Sequence, residues 1–99
     1  MTEIIYTSPD EVRAIFNTYV LPRIPSGDVA QMIQSSNVPS PSSGQPRGTR
    51  SERIVYFDGG QLIAVAHRFV APDGSIGGSG RPDPKAVRFG NEWLIAGPD

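Results

Sequence analysis

Histidine occurs once, at His67. An imidazole titrates near neutral pH, so it is the side chain best suited to general acid or base work there. No conventional catalytic partner stands at a telling spacing from it. The plainer alternative is a histidine at a sheet margin, hydrogen-bonded to a neighbour. Downstream lies the most distinctive stretch of the chain, Asp73-Gly74-Ser75-Ile76-Gly77-Gly78-Ser79-Gly80-Arg81-Pro82-Asp83-Pro84-Lys85. Gly77, Gly78 and Gly80 let backbone amides approach a ligand closely, and successive N–H groups can form an anion-binding nest. Arg81 and Lys85 add positive charge, and Arg81 offers a two-pronged fork for phosphate or carboxylate. This is not a phosphate-binding P-loop, because G-x-x-x-x-G-K-[ST] is absent. The alternative is a long strand connection, with glycine for turns and Pro82 and Pro84 forcing an extended path around Asp83.

Two functions follow as expectations. The first is a small non-enzymatic binding or regulatory module, of bacterial or phage type, that acts on a protein partner. It would present Gly77, Gly78, Gly80, Arg81, Lys85 and Trp93, since tryptophan is enriched at interface hot spots. Trp93 has the alternative role of a core or core-edge residue. The second is a small nucleic-acid-acting protein, a toxin-like ribonuclease. His67 would move a proton, Asp83 (or Asp73) would take the opposite role, and Arg81, Lys85 and Arg68 would hold the scissile phosphate. Between positions 47 and 88 seven basic residues face four acidic ones, a weak local excess that is also read as solvated strand and loop arginines. The segment from Asp73 to Lys85 resembles stretches of small bacterial proteins, and that resemblance implies no activity.

Composition bounds these readings. The chain has 99 residues, a net charge of −1 and no cysteine. One domain spanning 1–99 is expected, with no global basic field to recruit nucleic acid or anionic membrane. Disulfides, Cys-ligated zinc and a cysteine nucleophile are excluded. No cofactor and no metal site is expected, as H-E-x-x-H, EF-hand and G-x-S-x-G patterns are absent. No stretch approaches the ~18 apolar residues of a membrane span, and the N-terminus lacks the basic region of a secretory signal. A cytoplasmic protein with no membrane association is the default.

The elements that position these residues follow from periodicity. Ser8-Pro9-Asp10-Glu11 opens a helix: Ser8 caps, Pro9 suits the first helical position and Glu11 closes a capping box. Val12, Ile15, Phe16, Tyr19 and Val20 form its apolar stripe, and Pro22 ends it. Glu3–Thr7 before it is an edge strand or a lead-in. A second, shorter helix is expected after a Ser26 or Asp28 cap, with Val29, Met32 and Ile33 on one face, so that 8–34 is the helical part. Residues 35–52 contain eleven Ser, Pro or Gly and one aliphatic, Val38, and read as a flexible linker or loop.

Residues 53–99 read as antiparallel sheet. Strands are expected at Arg53–Phe57, Gln61–Val70, Ala86–Phe89 and Glu92–Ala96, with Asp58-Gly59-Gly60 as a hairpin turn. In the long strand the face with Ile63, Val65 and Phe69 is expected to be the core face, which places His67 on it too. The fold class is α+β, a three- to four-stranded antiparallel meander with one or two N-terminal helices packed on one face. Sheet edges invite pairing with a second copy, but Arg53 and Arg88 are expected to blunt the outer strands.

Overall fold

A computed structural model describes residues 2–77 and 80–97. The class is α+β, with one N-terminal helix on a six-stranded mixed sheet. In chain order the elements are β1 (Glu3–Thr7), α1 (Pro9–Tyr19), β2 (Ala30–Asn37), β3 (Arg50–Asp58), β4 (Gln61–Val70), β5 (Asp83–Phe89) and β6 (Glu92–Ala96). The strand order is β1-β6-β5-β4-β3-β2. β2 to β6 form an antiparallel meander, and β1 returns to pair parallel with β6. The sheet is therefore larger than the expected three or four strands, and mixed rather than purely antiparallel.

Local chemistry accounts for most of these elements. Ser8 caps α1, its hydroxyl accepting from the Glu11 amide at 3.1 Å. The Glu11 carboxylate accepts from the Thr7 hydroxyl at 2.6 Å, which ties the helix start to the end of β1. Val12, Phe16 and Val20 are buried as the stripe predicts. Gly59 and Gly60 turn the β3–β4 hairpin with φ of 58° and 85°, the left-handed values that a primed turn needs.

Three expectations are corrected. Residues 26–34 do not form a second helix. Val29 packs in the core, and Ala30–Asn37 is strand β2, with Met32 opposite Val55 and Ile33 opposite Ile54 on alternate faces. A helix of about two turns with three apolar residues cannot repay its nucleation, whereas the same segment as a strand pairs with β3 along its length. The span 35–52 is likewise not all linker. Ser35–Asn37 complete β2 and Arg50–Glu52 open β3, joined by a loop with a 3₁₀ turn at Pro41–Ser43.

The third correction concerns which side of β4 is buried. The core lies on the face of Ala64 and Ala66, both fully buried, rather than that of Val65 and Phe69, while Ile63, at the register shift, does pack against it. α1 lies on this side, where Phe16 meets Tyr56 edge to face at 5.1 Å. The aromatic rings fill the layer, so β4 contributes its smallest side chains there. Arg53 and Arg88 also sit on inner strands, β3 and β5, so neither guards a sheet edge.

Candidate functional site

β4 has two successive neighbours along one edge. Ala64 to His67 pair with β5, up to the partners His67 and Asp83. Beyond them Val70 bridges Ile76, and the Gly77 amide donates to the Phe69 carbonyl at 2.9 Å. Residues 80–82, just before β5, lie outside the ladder. The turn at Ala71–Gly74 is closed by the Gly74 amide on the Ala71 carbonyl at 2.8 Å. The Asp73 carboxylate accepts from both the amide and the hydroxyl of Ser75, at 2.9 and 2.7 Å. These bonds hold the Asp73 carboxyl below its ordinary proton affinity, the hydroxyl contributing most.

Beside these contacts lies a cleft of about 830 Å³, within the ~300–1,000 Å³ range of small-ligand sites. His67, Phe69, Gly77, Arg81, Asp83 and Lys85 line it from the sheet and loop. Arg13 and Asn17 of α1, Gln45 of the β2–β3 loop and Arg68 of β4 complete it. Four cationic side chains, Arg13, Arg68, Arg81 and Lys85, thus face a single carboxylate, Asp83.

Ion pairs organise the walls. The Asp83 carboxylate takes Lys85 Nζ at 2.8 Å and Arg13 Nη2 at 3.3 Å. Burial works to raise the Asp83 proton affinity, but the hydrogen bonds and charges of Lys85 and Arg13 together outweigh it and hold the carboxyl below its ordinary range. Arg68 Nε donates to Glu52 at 2.9 Å in a largely buried pair. Arg81 makes no ion pair among the described residues. Its guanidinium is exposed, next to paired neighbours.

His67 Nε2 lies 2.7 Å from the Ser51 hydroxyl. Its ring packs edge to face on Phe69 at 4.7 Å between centroids. Burial, and then the nearby Lys85 charge, lower the proton affinity of the imidazole, while Asp83 works the other way. The net effect keeps His67 neutral at physiological pH.

The structure brings His67, Gly77, Arg81, Asp83 and Lys85 to one cleft. It does not bring Trp93 there. Trp93 stands on β6 beside Ile4 and Arg88 of the flanking strands, on the face opposite α1. Two amides of the expected nest are engaged within the chain: Gly77 donates to Phe69, and Gly80 to the Gly77 carbonyl at 3.4 Å. Gly78 lies outside the described residues.

Ser51, Arg13, Asn17 and Gln45 escape a reading of the sequence. For Ser51 a signal exists, because the Gly59-Gly60 hairpin fixes the register of β3 on β4. Counting back from that turn reaches Ser51 beside Arg68, and a one-residue bulge near Tyr56 moves it to Phe69. Arg13 reads only as the polar side of an amphipathic helix until the packing of α1 on β5 is known. Among the described residues no group of His, Asp and Glu side chains is placed to hold a metal ion, and no helix is long and apolar enough to cross a membrane. Comparison with protein-family models, with curated proteins and with solved structures gives no match.

Proposed function

We propose that this chain is a non-enzymatic binding module whose recognition site is the cleft lined by His67, Phe69, Gly77, Arg81, Asp83 and Lys85. Its partner is a protein that presents an acidic group to Arg81. The observation that carries this reading is Arg81, which lines the cleft outside every ion pair among the described residues, whereas Arg13, Arg68 and Lys85 are taken up by Asp10, Glu52 and Asp83. An arginine fork can bind a carboxylate bidentately, and such charge-assisted bonds are roughly twice as strong as neutral ones.

A second reading, ribonuclease-like phosphoryl chemistry, is favoured by the convergence of His67, Arg81, Lys85 and Asp83 on the same cleft. Proton inventory weighs against it. Strand scission needs one group that accepts a proton and one that delivers it. His67 is held neutral and Asp83 is held ionised, so both candidates stand ready as bases and neither as an acid at neutral pH.

An amide NMR titration with an oligoglutamate peptide tests the proposal, with an oligoglutamine peptide of equal length as control. Saturable shifts at 67–69 and 80–85 are expected with the acidic peptide alone. They should weaken as salt is added, because ions screen such pairs, and should be lost in Arg81→Ala with the rest of the spectrum intact. Equal response to both peptides overturns the proposal. Cleavage of a short RNA that His67→Ala abolishes replaces it with the second reading.

A further inference from the structure

β2 forms one outer edge of the sheet, and Ala30–Asn37 contains no charged residue and no proline. An edge strand offers a row of unpaired N–H and C=O groups, which proteins usually guard with Lys, Glu or Pro. The other edge, β1, at least begins with Glu3. On β2 the side chains of Met32 and Ile33 project to opposite faces and are 54% and 49% exposed. We infer that β2 is a self-association surface. A second copy of this chain pairs its β2 antiparallel to the first, about a two-fold axis normal to the sheet, and joins two six-stranded sheets into one.

Charge placement selects a second copy over an unrelated strand. Asp28 lies just before β2. At the other end Arg50 reaches across from β3, donating Nη2 to the Ser36 carbonyl at 2.6 Å and Nε to the Ser36 hydroxyl at 3.1 Å. Antiparallel self-pairing lays the start of each strand beside the end of the other. Asp28 of each copy then approaches Arg50 of the other, and the two-fold makes this pair twice. Parallel pairing would instead stack like charges.

The pleat narrows the register further. Opposed residues in an antiparallel pair share a face, so the axis must pass through a residue position rather than between two. With Met32 on the axis, its two copies pack on one another, Gln31 faces Ile33, and Asp28 comes close to Ser36, where Arg50 sits. Ala30–Ile33 is the regular part of β2, since the register break on β3 falls between Ile33 and Ser35.

Sedimentation velocity over the micromolar to submillimolar range tests the inference. The wild type is expected to show a concentration-dependent monomer–dimer equilibrium. Met32→Lys sets two like charges at the axis and is expected to raise the dissociation constant by ~10-fold or more. Val38→Lys, at a 79%-exposed position beyond the strand, should leave it unchanged. Asp28→Lys and Arg50→Glu should each weaken the dimer, and the double variant should recover it. Circular dichroism and thermal melting show whether each variant is folded. A wild type monomeric throughout, a folded Met32→Lys that dimerises as well as wild type, or a folded double variant that fails to recover overturns the inference.

Discussion

His67 stands between opposing influences, and their balance has a consequence for stability. Burial and Lys85 favour the neutral imidazole more than Asp83 favours the charged one. The folded state therefore binds that proton less tightly than the unfolded chain does. Below the ordinary histidine value of about 6.5 the unfolded chain holds more protons, so stability rises with pH in that window. The contribution is complete above it and is lost as pH falls toward the folded value. Asp83, also shifted down, acts with the same sign at lower pH, below the ordinary carboxylate range. The urea midpoint is expected to fall as pH drops from neutral to mildly acidic, and His67→Gln should flatten that first part of the decline. An equally steep decline in the variant rejects the assignment. A second residue-scale expectation concerns Tyr56. Its hydroxyl is buried and has no hydrogen-bond partner among the described residues, while its ring packs on Phe16. Burial first of all pushes its proton affinity up, against the opposing charge of Arg68. Removing an unpaired buried hydroxyl recovers its desolvation cost, so Tyr56→Phe should hold or gain about 1 kcal/mol in urea unfolding. A loss of that size would show that the hydroxyl has a partner after all.

At the level of elements, the β2–β3 loop comes close to the turn after β4 at Gly48. Gly48 has φ of +91°, and a Cβ there would lie 2.9 Å from Cγ of Pro72, a ring fixed in a backbone turn. Gly48→Ala meets both a left-handed backbone and a clash with a side chain that has little room to move. It is expected to cost roughly 1–3 kcal/mol, read as a lower melting temperature. Gly44→Ala is the matched control, because its φ is +70° but nothing lies within 4 Å of its Cβ position. A similar cost in both variants would assign the effect to backbone strain alone. Thr49, next to Gly48 and buried, begins the passage from loop to β3. This contact also brings the loop that carries Gln45 towards the cleft. Pro84 is the other unusual placement, since it lies inside strand β5 and cannot donate to a ladder. It is buried opposite Ala66, next to the register break between β4 and β5, where a proline is tolerated.

For the whole molecule, the main fact is that a chain with net charge −1 gathers four cations in one cleft. Arg13 comes from the helix, Arg68 from β4, Arg81 from just before β5 and Lys85 from β5. The core that does this is two-layered: α1, Val20 and Val29 cover one face of the sheet over Ile54, Tyr56, Val87 and Leu94. On the other face Val55 is buried, while Ile4 and Tyr6 at the β1 side are 63% and 71% exposed. Arg81 and the β2 edge are separable in this architecture, because β2 is two strands away from β4 and of the cleft's cations only Arg68 also lines the small cavity beside Met32 and Ile33. Met32→Lys is therefore expected to abolish self-association and leave the oligoglutamate titration unchanged, whereas Arg81→Ala should do the reverse.

Features that depend on neighbours along the chain are legible in the order of the residues alone. The Ser8 cap and the stripe from Val12 to Val20 specify α1 because both rest on spacings within a few residues. Gln61–Val70 and Glu92–Ala96 are legible to the residue, bounded as they are by Gly60 and by Gly90-Asn91. Tertiary structure decided what depends on distant partners. Ala30–Asn37 is a strand because β3 offers it a ladder, not because of its own pattern, which also suits a short helix. Which face of β4 is buried depends on how much volume Phe16 and Tyr56 take up, and no count along β4 alone contains that. The same division holds at the cleft. Arg81, Lys85 and His67 announce themselves by residue type, but that they face Arg13, with Ser51 on the imidazole, follows from crossing distances of strand and helix that only packing fixes. Local signals act over one turn or one pleat, while burial is settled by the element that arrives from elsewhere in the chain.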